Sequence, residues 1–198
     1  MQLASDFLKF ANSGRPIMHE TVWLGRGGQG AFTAARLQGL AAVRFAGKQA
    51  LAFPSFGPER RGAPVFAFIR IAETPIYDRS TIKAADAAII MDETLLTPAL
   101  SGFIQSKTLL IVDSESDQTI DTPARLVRVP ARRIAREILG SDHTNTILLG
   151  VLTGLTGVLP AEAVIAGIAA EFGTGSRASK NVAAFVHAHQ LGQELAHG

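Results

Sequence analysis

Four glycines fall within six residues in the stretch V-W-L-G-R-G-G-Q-G-A-F-T-A-A-R, Val22 to Arg36: Gly25, Gly27, Gly28 and Gly30. Side chains at those positions would crowd a tight turn and hold the backbone away from a ligand. The apolar residues before the turn read as a strand, and the residues after it as the start of a helix. A helix opening there aims free N–H groups and a positive dipole end at whatever lies above the turn. That arrangement suits a phosphate or a carboxylate.

The spacing Gly25-x-Gly27-x-x-Gly30 matches the dinucleotide fingerprint, which also wants an acidic residue about twenty positions on to hold the ribose. Between Glu20 and Glu59 the chain has no Asp or Glu. Ordinary NAD binding is therefore not expected. A turn serving only close strand–helix packing remains the alternative to a ligand site.

A second candidate is F-P-S-F-G-P-E-R-R-G-A-P, Phe53 to Pro64. Its three prolines and two glycines make an irregular, stiff loop. It presents Glu59, Arg60 and Arg61. Paired arginines can fork onto a phosphate or onto a partner's carboxylate. The alternative is a solvated loop in which Glu59 pairs with one arginine. Asp92 and Glu93 follow the strand Ala87 to Met91, where open α/β sheets often place ligands, although a capping or turn role suits them as well.

The elements that would position these residues are legible in order. Strands are expected at Ile17 to Leu24, Gln49 to Phe53, Val65 to Ile71, Ala87 to Met91, Thr108 to Asp113 and Leu126 to Val129. The turn is expected at Gly25 to Gly30. Helices are expected at Ala31 to Ala46, with Gly47 as C-cap, at Leu95 to Phe103, and at Ala131 to Leu139. The last third is helical. An apolar helix opens at Asn145 and carries Gly150, Gly154 and Gly157; another runs from Pro160 to Phe172, and a final one spans Ser179 to Ala196. The class is α/β, a single three-layer α/β/α domain with a mostly parallel or mixed sheet and a helical C-terminal part. Residues 1–16 form an N-terminal extension whose Leu3, Phe7, Leu8 and Phe10 suit a short amphipathic helix; residues 17–198 form the domain.

Composition narrows the chemistry. The 198 residues hold no cysteine, so disulfides, thiolate metal sites and a cysteine nucleophile are excluded. Net charge is +2, and the sequence pI of 9.3 rests on no clustered Lys/Arg face, so a nucleic-acid partner is not expected. His187 and His189 stand two apart and face different ways on a helix, so no metal site is assigned. Neither a P-loop nor a Gly-x-Ser-x-Gly elbow occurs, and no catalytic residue is assigned. No run is long and apolar enough to span a bilayer, and the first residues do not read as a secretory signal; a cytoplasmic protein is the expectation.

The motifs G-R-G-G-Q-G (25–30) and F-P-S-F-G-P-E-R-R-G-A-P (53–64), followed by V-F-A-F-I-R-I and P-I-Y (75–77), resemble the gamma subunit of pyruvate:ferredoxin oxidoreductase and related 2-oxoacid:acceptor oxidoreductases. A-A-I-I-M-D-E-T-L-L (87–96), T-L-L-I-V-D (108–113) and N-T-I-L-L-G (145–150) fall where that family has equivalents. The resemblance implies a multi-subunit enzyme that decarboxylates a 2-oxoacid on thiamine diphosphate, passes electrons through iron–sulfur clusters and forms acyl-CoA. Thiamine diphosphate, magnesium and 4Fe–4S clusters would sit on partners: thiamine-binding and 2-oxoacid-binding alpha and beta subunits and a ferredoxin-like subunit. Assembly would remain for this chain, with coenzyme A binding as a further role. On that resemblance Arg26, Gly27, Gly28, Gln29 and Gly30 are the candidate coenzyme A phosphate cradle. Glu59, Arg60 and Arg61 are assigned to coenzyme A or to the interface with the thiamine-binding subunit. A ligand-free scaffold and a free-standing nucleotide-binding oxidoreductase are the competing readings.

Overall fold

The computed structural model describes residues 18–55, 62–97 and 102–197. Among them six strands form one sheet: β1 (Met18–Arg26), β2 (Gln49–Pro54), β3 (Pro64–Ala72), β4 (Ala87–Ile90), β5 (Leu109–Asp113) and β6 (Arg125–Val129). The α-helices are α1 (Ala31–Phe45), α2 (Ala131–Leu139), α3 (Asn145–Thr156), α4 (Ala161–Phe172) and α5 (Ser176–His197). The strand order is β2-β3-β1-β4-β5-β6. Only β3 runs against its neighbours, so the sheet is mixed and mostly parallel, as expected.

The two faces of the sheet are covered differently. Trp23, Ile69, Ile89, Ile111 and Val129 face a core to which all five helices contribute. Val22, Leu24, Phe68, Ile90 and Val112 face a second core closed by Ile82, Ala85, Leu95, Phe103 and Ile104, none of which lies in an α-helix. Among the described residues the second outer layer is thus made of connecting segments. Period-two burial fixes which residue goes to which face, so one alternating strand supplies both cores.

The glycines of the C-terminal helices answer to packing. A Cβ on Gly150 would sit 2.7 Å from the Phe185 carbonyl oxygen, and one on Gly154 only 2.2 Å from that of His189. At both positions the small residue lets α5 approach this helix closely. Gly157 instead ends α3 in the left-handed region at φ 62°, its N–H bonded to the Thr153 carbonyl.

Three expectations need adjustment. The first strand continues through Gly25 and Arg26, which pair with Val65 and Pro64, so the turn is confined to Gly27–Gly30. The helix expected at Leu95 to Phe103 does not start at Leu95, which ends a 3₁₀ turn at Glu93–Leu95 and is followed by an extended Leu96 at ψ 98°; residues 98–101 lie outside the described residues. Asp92 drives this: its carboxylate accepts the Thr94 N–H and caps the short turn. The final helix begins at Ser176, because the break comes from Gly173 and Gly175, both with positive φ. Residues 1–16, and the loop residues Glu59, Arg60 and Arg61, lie outside the described residues.

Candidate functional site at the carboxyl edge of the sheet

Because β1, β4, β5 and β6 are parallel, their carboxyl ends share one edge. From β1 the chain crosses through α1 to β2 on one side, while β4, β5 and β6 lie on the other. The strand order therefore reverses between β1 and β4, and open α/β sheets bind ligands at that point. The glycine turn sits there.

The turn is held by a dense polar set. The Arg26 N–H donates to Gln29 Oε1 at 2.6 Å, and the Gln29 N–H closes the turn onto the Arg26 carbonyl at 2.9 Å. The Arg26 guanidinium reaches Asp92 Oδ2 at 2.9 Å, Thr94 Oγ1 at 2.6 Å and the Gly62 carbonyl at 3.2 Å. Burial pushes the Asp92 carboxyl up, but hydrogen bonds from Thr94 and Arg26 outweigh it and hold the group below the usual carboxylate range. Asp92 is therefore ionised at neutral pH and Arg26 is matched by it. The Gly27 N–H goes to the Ala63 carbonyl at 2.9 Å, tying the end of the Phe53–Pro64 loop to the turn.

Of the expected cradle, Gln29 and Arg26 thus serve the turn itself, and Gly27 serves the loop. What faces outward is the opening of α1. Gly30 stands before it at φ 89°; the first backward bond is Ala34 N–H to the Gly30 carbonyl. The N–H groups of Ala31, Phe32 and Thr33 consequently have no acceptor within the helix. No side chain caps this end and its first turn holds no acid.

Two more helices begin on the same edge. At α2 the Arg132 N–H is capped by Asp113 Oδ1 at 3.1 Å. Burial raises the Asp113 carboxyl above its ordinary value, partly opposed by the backbone N–H of Arg132. At α3 the first residue, Asn145, lies against the glycine turn: its amide Nδ2 is 3.1 Å from where a Gly30 Cβ would stand. The sequence marks Asn145 as a helix start and as part of a stretch with family equivalents; nothing local signals that it meets Gly30, more than a hundred residues earlier. Among the described residues no group of three or more His, Asp or Glu is arranged to hold a metal ion, and no helix is long and apolar enough to cross a membrane.

Comparison with known proteins supplies the context for this edge. The family model described as pyruvate ferredoxin/flavodoxin oxidoreductase matches residues 20–191. The pyruvate synthase subunit PorC of Methanosarcina barkeri is 41% identical over 144 residues, 71% of this chain and 79% of that one. The pyruvate/ketoisovalerate oxidoreductases common subunit gamma of Thermococcus litoralis is 40% identical over 174 residues, 84% of this chain and 93% of that one. The crystal structure of pyruvate oxidoreductase subunit PORC from Thermotoga maritima superposes with a TM-score of 0.78 at 31% identity, covering 89% of this chain and 97% of that one. The fold also recurs, at 19% identity and TM-score 0.74, in the 2-oxoglutarate:ferredoxin oxidoreductase of Magnetococcus marinus, of which this chain covers 32%.

Proposed function

The chain belongs to the pyruvate ferredoxin/flavodoxin oxidoreductase family, and we propose on that premise that it is the gamma-type subunit of a cytoplasmic 2-oxoacid:ferredoxin (acceptor) oxidoreductase forming acyl-CoA and CO2. The observation that carries this reading is the extent of the likeness: the family match runs over residues 20–191, and a gamma subunit is 40% identical over 93% of its own length. The relatives named for pyruvate and ketoisovalerate favour a small 2-oxoacid as substrate of the whole enzyme. Residues 17–198 are read as one gamma-type domain, with 1–16 as an extension beyond it.

In this reading the chain holds no redox centre. Thiamine diphosphate, magnesium and 4Fe–4S clusters belong to the alpha and beta subunits and to a ferredoxin-like subunit. The absence of cysteine supports that division, since thiolates are the usual cluster ligands.

The chain contributes assembly and a seat for coenzyme A, whose thiol accepts the acyl group when bound. An anion fits the carboxyl edge: α1 opens there without a cap, and the place of a Gly30 side chain is left free beside Asn145. The free N–H groups of α1 would hold the pyrophosphate. The turn built by Arg26, Gly27, Gly28 and Gln29 keeps the backbone open to it. Arg60 and Arg61 would meet the 3′-phosphate or a partner's acid.

Reconstitution of the complex with and without this chain tests the proposal. Omitting the chain should abolish 2-oxoacid-dependent acyl-CoA formation. Alanine at both Arg60 and Arg61 should raise the KM for coenzyme A or block assembly. If neither changes, the loop assignment falls.

A further inference from the structure

We propose that the sheet face opposite the α-helices carries a docking pocket for a partner subunit, and that its occupant is a large apolar side chain with a carboxylate beside it. This rests on the proposed subunit role and places one contact of that subunit.

The pocket lies where β2 ends and β3 begins. Phe53, Phe66, Phe68 and Phe103 line it, and the exposed Arg79 and Thr81 complete the lining. Its volume is about 530 Å³, far larger than the voids of a packed core. Phe68 is 5% and Phe103 9% exposed, whereas Phe53 and Phe66 are only partly buried. Phe66 meets Phe103 edge-on at 5.9 Å between centroids, and Phe53 meets Phe68 at 5.3 Å. The outer rings therefore keep apolar surface that nothing among the described residues covers, which marks an interaction site. A mostly parallel sheet normally has both faces covered. Here the α-helices among the described residues all pack on the other face, and connecting segments leave the β2–β3 end open.

Charge selects the occupant. Arg79 has no acid partner among the described residues. Its neighbour Asp78 is turned to Arg70, 3.6 Å away, and accepts the Ser80 N–H at 2.8 Å. Arg70 Nη1 also donates to the carbonyls of Asp78 and Ser80. The backbone on either side of Arg79 is thus clamped while its own side chain stays in solvent. A guanidinium on a pre-ordered backbone loses less freedom on binding and can fork onto a carboxylate. An aromatic cavity with one unpaired cation beside it fits an aromatic or branched aliphatic side chain followed closely by Asp or Glu, an apolar anchor with a charge next to it.

Reconstitution of the complex with variants of the full chain, read by native mass spectrometry, tests this. Arg79→Glu reverses the charge and Thr81→Trp fills the cavity; both positions are exposed. Each should weaken assembly about ten-fold, while the lone chain keeps its wild-type melting temperature. In the complex of the Arg79→Lys chain, a carbodiimide should join position 79, through an amide formed with loss of water, to an Asp or Glu of a partner subunit beside a large apolar residue. Wild-type assembly by both Arg79→Glu and Thr81→Trp overturns the pocket and leaves the subunit role standing. A bond from position 79 only to acids of this chain, or to a partner acid with no apolar neighbour, overturns it too. Self-association of the lone chain that Thr81→Trp abolishes gives the pocket to a second copy and contradicts the proposal. Failure of the wild-type chain to assemble overturns both the pocket and the subunit role.

Discussion

Arg26 and Asp92 meet at 2.9 Å across the gap between the ends of β1 and β4, the two strands that flank the reversal of strand order. The pair also reaches the Gly62 carbonyl, so it joins the turn, the end of β4 and the end of the Phe53–Pro64 loop. Asp92→Asn should cost about 1 kcal/mol at neutral pH, a discounted figure because Arg26 is more than a third exposed. The sign with pH follows from the lowered Asp92 carboxyl: its contribution is present above the ordinary carboxylate value and is lost as pH falls through the depressed one. The gap between wild type and Asp92→Asn should therefore close in denaturant unfolding performed in strong acid.

Arg70 is a second cationic hub, on the face that holds no α-helix among the described residues. Its side chain is 2% exposed and holds Glu20 at 2.7 Å and the carbonyls of Asp78 and Ser80 at 3.2 and 2.7 Å. Removing it leaves those acceptors and the Glu20 charge uncompensated. Arg70→Met should destabilise the chain by about 3–5 kcal/mol, measured by chemical denaturation.

Two glycines should fail for different reasons. Gly154→Ala drives a methyl into the His189 carbonyl of α5, a backbone atom that cannot swing aside. The helices must separate, at about 1–3 kcal/mol or more. Gly28→Ala meets nothing within 4 Å, but at φ 99° it strains the backbone by about 1–2 kcal/mol. Thermal melts of the two variants should keep that order.

Asp113 gives the opposite pH sign to Asp92. Burial raises its carboxyl, so the folded chain prefers the protonated form and loses stability as pH rises from the ordinary value through the raised one. Asp113→Asn keeps an acceptor for the Arg132 N–H without the buried charge. It should be as stable as wild type or more so at neutral pH, with no advantage in strong acid. A clear loss of melting temperature at neutral pH would contradict this.

Most of the element order was legible because the signals are local. Pro130 at the end of β6, Pro160 at the start of α4 and the short apolar run of each strand need no tertiary information. No helix starts at Leu95 as expected, because Asp92 caps a turn that the following extended Leu96 ends. The gathering on one face of all the α-helices among the described residues could not be read, since V-F-A-F-I-R-I is apolar on both sides. The site was half legible. The glycines announce a turn, yet that Asp92 would claim Arg26, and that Asn145 would stand over Gly30, depends on contacts between segments far apart in the chain.

The most direct test of the central claim is anaerobic affinity purification of this chain from its native host, with mass spectrometry of what accompanies it and an assay of 2-oxoacid oxidation. The account predicts co-purification of a thiamine-diphosphate-binding subunit and a cysteine-rich iron–sulfur subunit in constant ratio, with coenzyme A-dependent turnover. Recovery of the chain alone, folded and monomeric, would contradict it.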